Sequence, residues 1–305
     1  MPTWSGILNE LKLANARNIP APFDHTRRKY LKKLSDYTHR NTIFYGSAFT
    51  QKSGPPDLLS VVDEDVQGMM EVSHELPKDP VDLILHTPGG SPEAAEGIVE
   101  YLHAQFPEVR VIVPQLAMSA GTMIACSASS IVMGKHSNIG PIDPQVIVRT
   151  PNGTTSNPAK AIIDQFYKGL AEMNQPDKQA WALLLQQYAP ALITQCVNYI
   201  EMSKNLVKDW LERWMFSELP DKVALSQTIS DFLGEHDNFK SHGRHISREK
   251  ASKLGLVITH LENDSVMQDL VLSVFHASTH TFASTPAFKI IENQKGKAFI
   301  KILNQ

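Results

Sequence analysis

Along the middle of this chain, segments with the apolar pattern of buried strands alternate with segments that have the apolar spacing of helices. Continuous apolar runs bounded by turn signals are typical of buried parallel strands, and three occur: VDLILH, VRVIVP and SIVMG. Segments with helical spacing separate them, SPEAAEGIVEYLHAQF and SAGTMIACSAS, and in the first of these Ser91 is a candidate N-cap ahead of Pro92. The order strand–helix–strand–helix–strand at short spacing predicts an α/β fold with a parallel core.

The same sequence signals predict the structure of the segments that flank this core. Residues up to about 40 have helical spacing and are expected to lie at the periphery, and NTIFYGSAF after them predicts a strand. Residues 191–216 predict one long amphipathic helix. Ser247 and Gly255 are expected to cap a short helix that precedes the last strand. Beyond about residue 280 the pattern is weak, and the chain is expected to fray.

Composition narrows the class of protein. The chain has 305 residues, 20% of them charged, and its net charge of −3 provides no electrostatic basis for binding nucleic acid. Two cysteines form no CxxC pair and no disulfide framework, and the N-terminus lacks a secretion signal, so a cytoplasmic location is expected. Residues 111–134 carry no charge, but their proline, glycines and serines favour a buried strand–turn–helix–strand passage over a membrane span.

Candidate chemistry lies in two glycine-containing turns, HTPGGS and MSAGT, that follow successive predicted strands. The carboxyl ends of parallel strands and the N-termini of the following helices gather reactive groups at one edge of a sheet. Glycines in the first turn can leave backbone N–H groups free, and Ser119 in the second turn presents a hydroxyl. Amides that stabilise an oxyanion, beside an exposed hydroxyl, are the minimum equipment for acyl transfer.

These paired blocks, TPGG and AMSAGT, together with the later HGRHISREKASKLGLVI, resemble the serine dehydrogenase proteinase family over about residues 27–261. That family belongs to the Clp protease/crotonase superfamily, with signal peptide peptidase A. The resemblance implies Ser119 as nucleophile, the amides of Gly89 and Ala120 as oxyanion hole, and Gly90 as the residue that shapes the turn. It also implies three regions: a helical N-terminal extension (1–40), a Clp/crotonase-like serine peptidase domain (41–265) and a C-terminal extension (266–305).

The general base is harder to assign. The Clp protease subunit uses a histidine soon after the nucleophile, but the matching place here holds Ile142 or Asp143, and His136 comes too early. For Asp143 a role in loop or turn structure is favoured. Signal peptide peptidases and their archaeal relatives use a lysine from a later helix, and the long helix that precedes HISREKASKLG contains Lys204.

The spacing of that helix favours Lys204. It shares a face with Ile200 and Val207, where desolvation would lower the pKa of its ammonium group enough for it to act as a base. Lys168 has a more family-like distance from the serine, but it lies opposite the apolar residues of its own helix. The base is therefore Lys204, Lys168 or no lysine at all.

Three functions remain open. The leading interpretation is a cytoplasmic serine peptidase that forms an acyl-enzyme on Ser119 with a peptide or protein substrate. The alternatives are a catalytically silent scaffold and a crotonase-like acyl-CoA enzyme, although the latter class needs no serine at this position. Neither a metal site nor a cofactor is expected, since the two histidines of HGRH lack a third ligand and no GxGxxG or GxxxxGK(S/T) motif occurs. A homo-oligomer is expected, and any ATPase or unfoldase would be a separate protein.

Overall fold

The computed structural model describes residues 3–150, 153–173 and 178–303. Its strands are β1 (Asn41–Ser47), β2 (Val81–His86), β3 (Val109–Val113), β4 (Leu116–Ala117), β5 (Ser130–Met133), β6 (Asn138–Ile139), β7 (Gln145–Thr150), β8 (Gly153–Pro158), β9 (Ile246–Ser247), β10 (Ile258–His260), β11 (Ala287–Asn293) and β12 (Ala298–Ile302). Its α-helices are α1 (Trp4–Ala16), α2 (Pro22–Thr38), α3 (Pro56–Leu59), α4 (Asp65–Ser73), α5 (Pro92–Gln105), α6 (Ala120–Cys126), α7 (Ala159–Glu172), α8 (Lys178–Leu185), α9 (Leu192–Trp210), α10 (Lys222–Gly234), α11 (Arg248–Leu254) and α12 (Ser265–Ser284).

One large sheet organises these elements, in the strand order β10-β5-β3-β2-β1-β11-β12. The first five strands in that order are parallel to one another, and β11 and β12 extend the sheet in antiparallel fashion beyond β1. The predicted α/β fold with a parallel core is therefore confirmed. The predicted caps are also present, since the Ser91 hydroxyl accepts from the Ala94 N–H, and Gly255 ends α11 in the left-handed region.

Two apolar cores cover the two faces of this sheet, because successive residues on a strand point to opposite faces. One row of paired residues faces α4, α5 and α6: Ile43, Leu83, Val111 and Ile131. The next row along the strands faces α2 and α12: Phe44, Ile84, Ile112 and Val132. Burial on both faces explains why these strands read as continuous apolar runs.

Both ends of the described chain differ from expectation. The helix α2 is not peripheral, because Leu31 and Leu34 are fully buried in the core that it shares with α12. The expected fraying beyond about residue 280 is wrong, and β10 is not the last strand. All seven residues of β11 are buried, and β11 lies inside the sheet between β1 and β12. The boundaries proposed at residues 40 and 265 remain predictions.

A smaller unit stands beside the sheet. The hairpin β7–β8 packs with α7 and α9 around a separate core formed by Val146, Ala159, Ile162 and Cys196. The long helix predicted for residues 191–216 is α9, which continues into a π-helical turn at Leu211–Met215. Within the described ranges no helix is long and apolar enough to cross a membrane. The uncharged stretch 111–134 covers the end of β3, then β4, α6 and β5.

Candidate active site

The turn after β2 brings two glycines against neighbouring main chain. Gly89 has φ 99° and Gly90 has φ 157°, so both lie in the backbone region that disfavours side chains. The Gly90 position is crowded as well, because a Cβ there would overlap the Val61 carbonyl oxygen. On either side of Gly90, the Val61 N–H donates to the Gly89 carbonyl at 2.8 Å and the Ser91 N–H donates to the Val61 carbonyl at 3.0 Å.

Ser119 stands at the junction between β4 and α6. It is the N-cap residue of α6, it is half-buried, and its backbone has φ 52° and ψ −117°. A non-glycine residue in this conformation is strained, and such strain collects at functional sites, where surrounding structure holds it in place. The strained turn places Ser119 ahead of the first N–H groups of α6, which have no partner inside the helix.

Gly89 and Ser119 are in direct contact. A Cβ on Gly89 would lie 2.6 Å from the Ser119 Cβ and 3.0 Å from the Ala120 nitrogen, so no other residue fits there. The two turns are held together by main-chain bonds, in which the Thr87 N–H donates to Leu116 and the Met118 N–H donates to Thr87, each at 3.0 Å. The Gly89 N–H itself donates to the Thr87 hydroxyl at 3.2 Å.

A cavity of about 790 Å³ opens in front of these turns. Ser119, Gly89 and Gly90 line it together with Ser60, His242 and residues 145–149 of β7. Three of the sequence-predicted site residues therefore border one cavity. Ala120 is buried directly behind Ser119 as the first residue of α6.

His242 belongs to a partly buried hydrogen-bonded cluster around Asp143. The Asp143 side chain is 3% exposed, and its two carboxylate oxygens bond to the Nδ1 atoms of His242 at 2.7 Å and His236 at 2.8 Å. The Gln145 amide also donates to this carboxylate at 3.2 Å. With Nδ1 bonded to Asp143, Nε2 is the ring nitrogen of His242 that remains for another partner, and His242 lines the same cavity as Ser119.

The lysines and His136 lie elsewhere. Lys204 is not among the residues that line this cavity; its ammonium group lies 3.4 Å from an Asp231 oxygen and 3.9 Å from a Glu235 oxygen. Lys168 is exposed on α7, and His136 is exposed beyond β5. Neither residue lines the cavity. The assignment of Lys204 as the base stays a prediction, and the charged groups nearest to this lysine are the two carboxylates.

Sequence reasoning missed the pairing of His242 with Asp143. The two residues are 99 positions apart, and each was interpreted on its own: Asp143 as a structural residue, and the HGRH motif as an incomplete zinc site. Their only joint signal is that both fall inside segments that resemble the peptidase family. Among the described residues, no group of three or more His, Cys, Asp or Glu side chains is placed to hold a metal ion.

The parallel sheet with a strained serine at its carboxyl edge, beside a glycine turn, is an arrangement suited to acyl transfer. Residues 56–269 match the family described as ClpP-like SDH-type serine proteinase, and this match covers more than half of the chain. The chain belongs to this family of serine proteinases.

Relatives and solved structures are similar to parts of the chain. Two uncharacterized proteins of Methanocaldococcus jannaschii match it. The first is 33% identical over 235 residues, covering 75% of this chain and 72% of that protein. The second is 35% identical over 116 residues, covering 38% and 37%.

Among solved structures, a mutant of the 1510-N membrane-bound stomatin-specific protease aligns with a TM-score of 0.38 and 16% identity, covering 66% of this chain and 75% of that one. ClpP1 from Listeria monocytogenes aligns with a TM-score of 0.38 and 13% identity, covering 72% of this chain and 91% of that one.

Proposed function

We propose that this chain is a serine endopeptidase in which Ser119 attacks a peptide carbonyl, His242 is the general base, and Asp143 orients His242. The observation that carries the proposal is that Ser119 and His242 line one cavity, while the other ring nitrogen of His242 is bonded to the buried Asp143 carboxylate. A nucleophile, a base and a group that orients the base are the three parts that such catalysis requires.

The reaction follows from these positions. The Ser119 hydroxyl transfers its proton to His242 Nε2 as its oxygen bonds to the carbonyl carbon, and the imidazolium is stabilised by Asp143. His242 then protonates the leaving amine as the peptide bond breaks, which leaves an acyl-enzyme on Ser119. A water molecule, deprotonated by His242, attacks that ester and releases the acid product.

The developing oxyanion needs N–H donors, and the two turns supply candidates. Ala120 is the first residue of α6, so its N–H has no intrahelical partner. In the glycine turn, the Gly90 N–H has no hydrogen-bond partner among the described residues, whereas the Gly89 N–H donates weakly to Thr87. We assign the oxyanion hole to Ala120 and this turn, in which Gly89 admits the close approach and either glycine amide can donate.

A peptide substrate is supported by the wall of the cavity. Five consecutive residues of β7 line it, and in the described part of the chain β7 pairs with β8 alone. An extended peptide can add to such a strand edge through main-chain bonds and so present its carbonyl to Ser119.

Several finer assignments belong to the same proposal. Both cysteines are free thiols in the interior, which fits the reducing cytoplasm where we place the enzyme. We also propose a homo-oligomer. The sequence contains no nucleotide-binding motif, so an unfoldase that feeds substrate would be a separate protein.

Labelling with a fluorophosphonate probe tests the function directly. The purified protein should be labelled on Ser119 and should cleave an unstructured protein such as casein, and Ser119→Ala should abolish both. If Ser119 is neither labelled nor needed for cleavage, the peptidase assignment fails. A silent scaffold would then bind peptides without cleaving them, and an acyl-CoA enzyme would convert a thioester substrate with Ser119→Ala still active.

A further inference from the structure

A buried ionic cluster lies under the glycine turn, outside the groups used above. Lys289 on β11 and Asp65 at the start of α4 are both fully buried, with the Lys289 ammonium 2.8 and 2.6 Å from the two Asp65 oxygens. The Tyr45 hydroxyl donates to the same carboxylate at 2.7 Å. Burying two opposite charges is costly, and an apolar pair of similar volume often stabilises a fold as well or better. Stability alone is therefore a weak reason for these charges.

Two further bonds of the cluster hold one short stretch of main chain, residues 60–62. The Lys289 ammonium donates to the Ser60 carbonyl at 2.5 Å, and the Val62 N–H donates to an Asp65 oxygen at 3.0 Å. Both flanks of Val61 are thus anchored to charged groups by directional, charge-assisted bonds, which apolar side chains could not supply.

Residues 60–62 are in turn paired with the glycine turn. Val61 bonds to Gly89 and Ser91 on either side of Gly90, and no atom fits between Val61 and Gly90. The Ser60 side of this stretch borders the cavity that contains Ser119. A continuous path of bonds and contacts therefore leads from Lys289, through residues 60–62, to the turn that faces Ser119.

We infer that Lys289 and Asp65 are positioning residues that hold the oxyanion turn in place for the reaction. This inference rests on the proposed function. It extends the site to Lys289, a residue outside the 56–269 stretch that matches the family. A displacement of about 1 Å in a catalytic group can lower a rate about 100-fold, so a turn anchored by fixed charges has a direct catalytic value.

The test compares Lys289→Met, the double variant Asp65→Asn with Lys289→Met, and Lys301→Met as a matched control. The double variant removes both charges but keeps an amide oxygen for Tyr45 and Val62, so it avoids an unpaired buried carboxylate. Lys301 is also a buried lysine near Asp65, at 3.4 Å, but its main partner is Glu64, and within the described chain it makes no bond to residues 60–62.

The expected result is a fall in kcat of about 10- to 100-fold in both Lys289 variants, with KM changed less than about threefold. Lys301→Met should keep the wild-type kcat. A peptide aldehyde, whose hemiacetal oxygen occupies the oxyanion hole, should bind the Lys289 variants more weakly by the same factor. The amine product of cleavage, which places no oxygen in the oxyanion hole, should bind all variants alike.

Two results would overturn the inference. One is an unchanged kcat in folded Lys289 variants. The other is loss of the folded state in both of them, which would make the cluster a folding element. If the wild type and Lys301→Met also fail to cleave and are not labelled on Ser119, the proposed function itself has failed.

Discussion

At the scale of single residues, Ser119 combines a strained backbone with the hydroxyl that we propose as the nucleophile. Its φ of 52° and ψ of −117° are unfavourable for any residue with a Cβ but accessible to glycine. Ser119→Ala and Ser119→Gly should both abolish cleavage, because each removes the hydroxyl. Ser119→Gly should nevertheless unfold with a free energy about 1 kcal/mol higher than Ser119→Ala, since glycine relieves the strain.

Denaturant titration of the two inactive variants measures this difference. Equal stabilities would mean that the turn is not strained in solution. Residual cleavage in either variant would remove Ser119 as the nucleophile.

The choice of base is also decided by single residues. His242 and His236 bond to the same carboxylate, but only His242 is among the residues that line the cavity. His242→Gln should lower kcat about 10²- to 10⁴-fold, the usual value of a general base, while His236→Gln should lower it less than about tenfold. Lys204→Met should remain active, because its partners are Asp231 and Glu235.

Steady-state cleavage rates of the three variants separate the assignments. Loss of turnover in Lys204→Met with retention in His242→Gln would restore the serine–lysine mechanism favoured by the sequence. Lys168→Met serves as a further control, because that side chain is exposed on α7.

At the scale of elements, α2 is bound to β11 by a buried ion pair. Arg27 is fully buried and donates to Glu292, to the Thr281 hydroxyl at 3.0 Å and to Asp24 at 2.8 Å. Arg28 bonds to the same Glu292 but its side chain is 39% exposed. Arg27→Met should lower the free energy of unfolding by about 3 kcal/mol, because a buried carboxylate loses its enclosed partner. Arg28→Met should cost less than about 1 kcal/mol.

Chemical denaturation of both variants checks this pair. If Arg27→Met is as stable as the wild type, the buried ion pair makes no net contribution to the packing of α2 against β11, and the apolar contacts of Leu31 and Leu34 hold the helix instead. A cost near the expected value would make α2 part of the main folding unit.

The elements also show where prediction from sequence succeeded. The capped helices α5 and α11 and the apolar strands β2, β3 and β5 are marked by local signals. The strand β11 is not, because AFKIIEN contains Lys289, Glu292 and Asn293, which are polar yet fully buried. Glu292 is bonded to Arg27 on α2, and Lys289 and Asn293 are bonded to Asp65 and Val72 on α4, each more than 200 positions away, so no local pattern could indicate burial.

At the scale of the whole molecule, the three most exposed large apolar side chains of the described residues lie on β7, α7 and α8. Ile147 on β7, Tyr167 on α7 and Leu183 on α8 are 71%, 59% and 65% exposed. Apolar side chains this exposed lose contact with water when another copy of the chain covers them, which favours association. Light scattering at micromolar concentration should therefore give a mass that is a multiple of 33.9 kDa. The double variant Tyr167→Glu with Leu183→Glu should give a smaller mass.

A matched control is Val223→Glu, which replaces an exposed apolar residue on α10. It should leave the assembled mass unchanged. A monomeric mass for the wild type would contradict the expected homo-oligomer.

Acid should destabilise the whole fold through one buried and two half-buried histidines. Burial lowers the pKa of His86 to about 3, and lowers those of His103 and His276 to about 4, from an ordinary value of 6.5. Below pH 6.5 the unfolded chain binds protons at these rings while the folded chain does not. The free energy of unfolding should therefore fall as pH drops from 6.5 towards 4, by at most about 1.4 kcal/mol per pH unit for each ring.

Thermal midpoints at pH 7.5 and 5.5 measure the effect. His86→Phe should show a smaller drop between the two pH values, because His86 packs against Phe49 and Phe275 and an apolar ring can occupy that place. The exposed His25→Phe should show the same drop as the wild type.

The sequence by itself determined the parallel α/β core, the two glycine-containing turns and Ser119, because apolar periodicity, caps and turn residues act between near neighbours. Tertiary structure decided which distant groups line the cavity in front of those turns and which hold the main chain beside them. His242 joins Asp143 across 99 positions, and Lys289 joins Asp65 across 224. A buried polar group costs free energy unless it is hydrogen-bonded, so the fold pairs such groups however far apart they lie in the chain. The spacing of residues in the sequence therefore does not indicate which groups will pair.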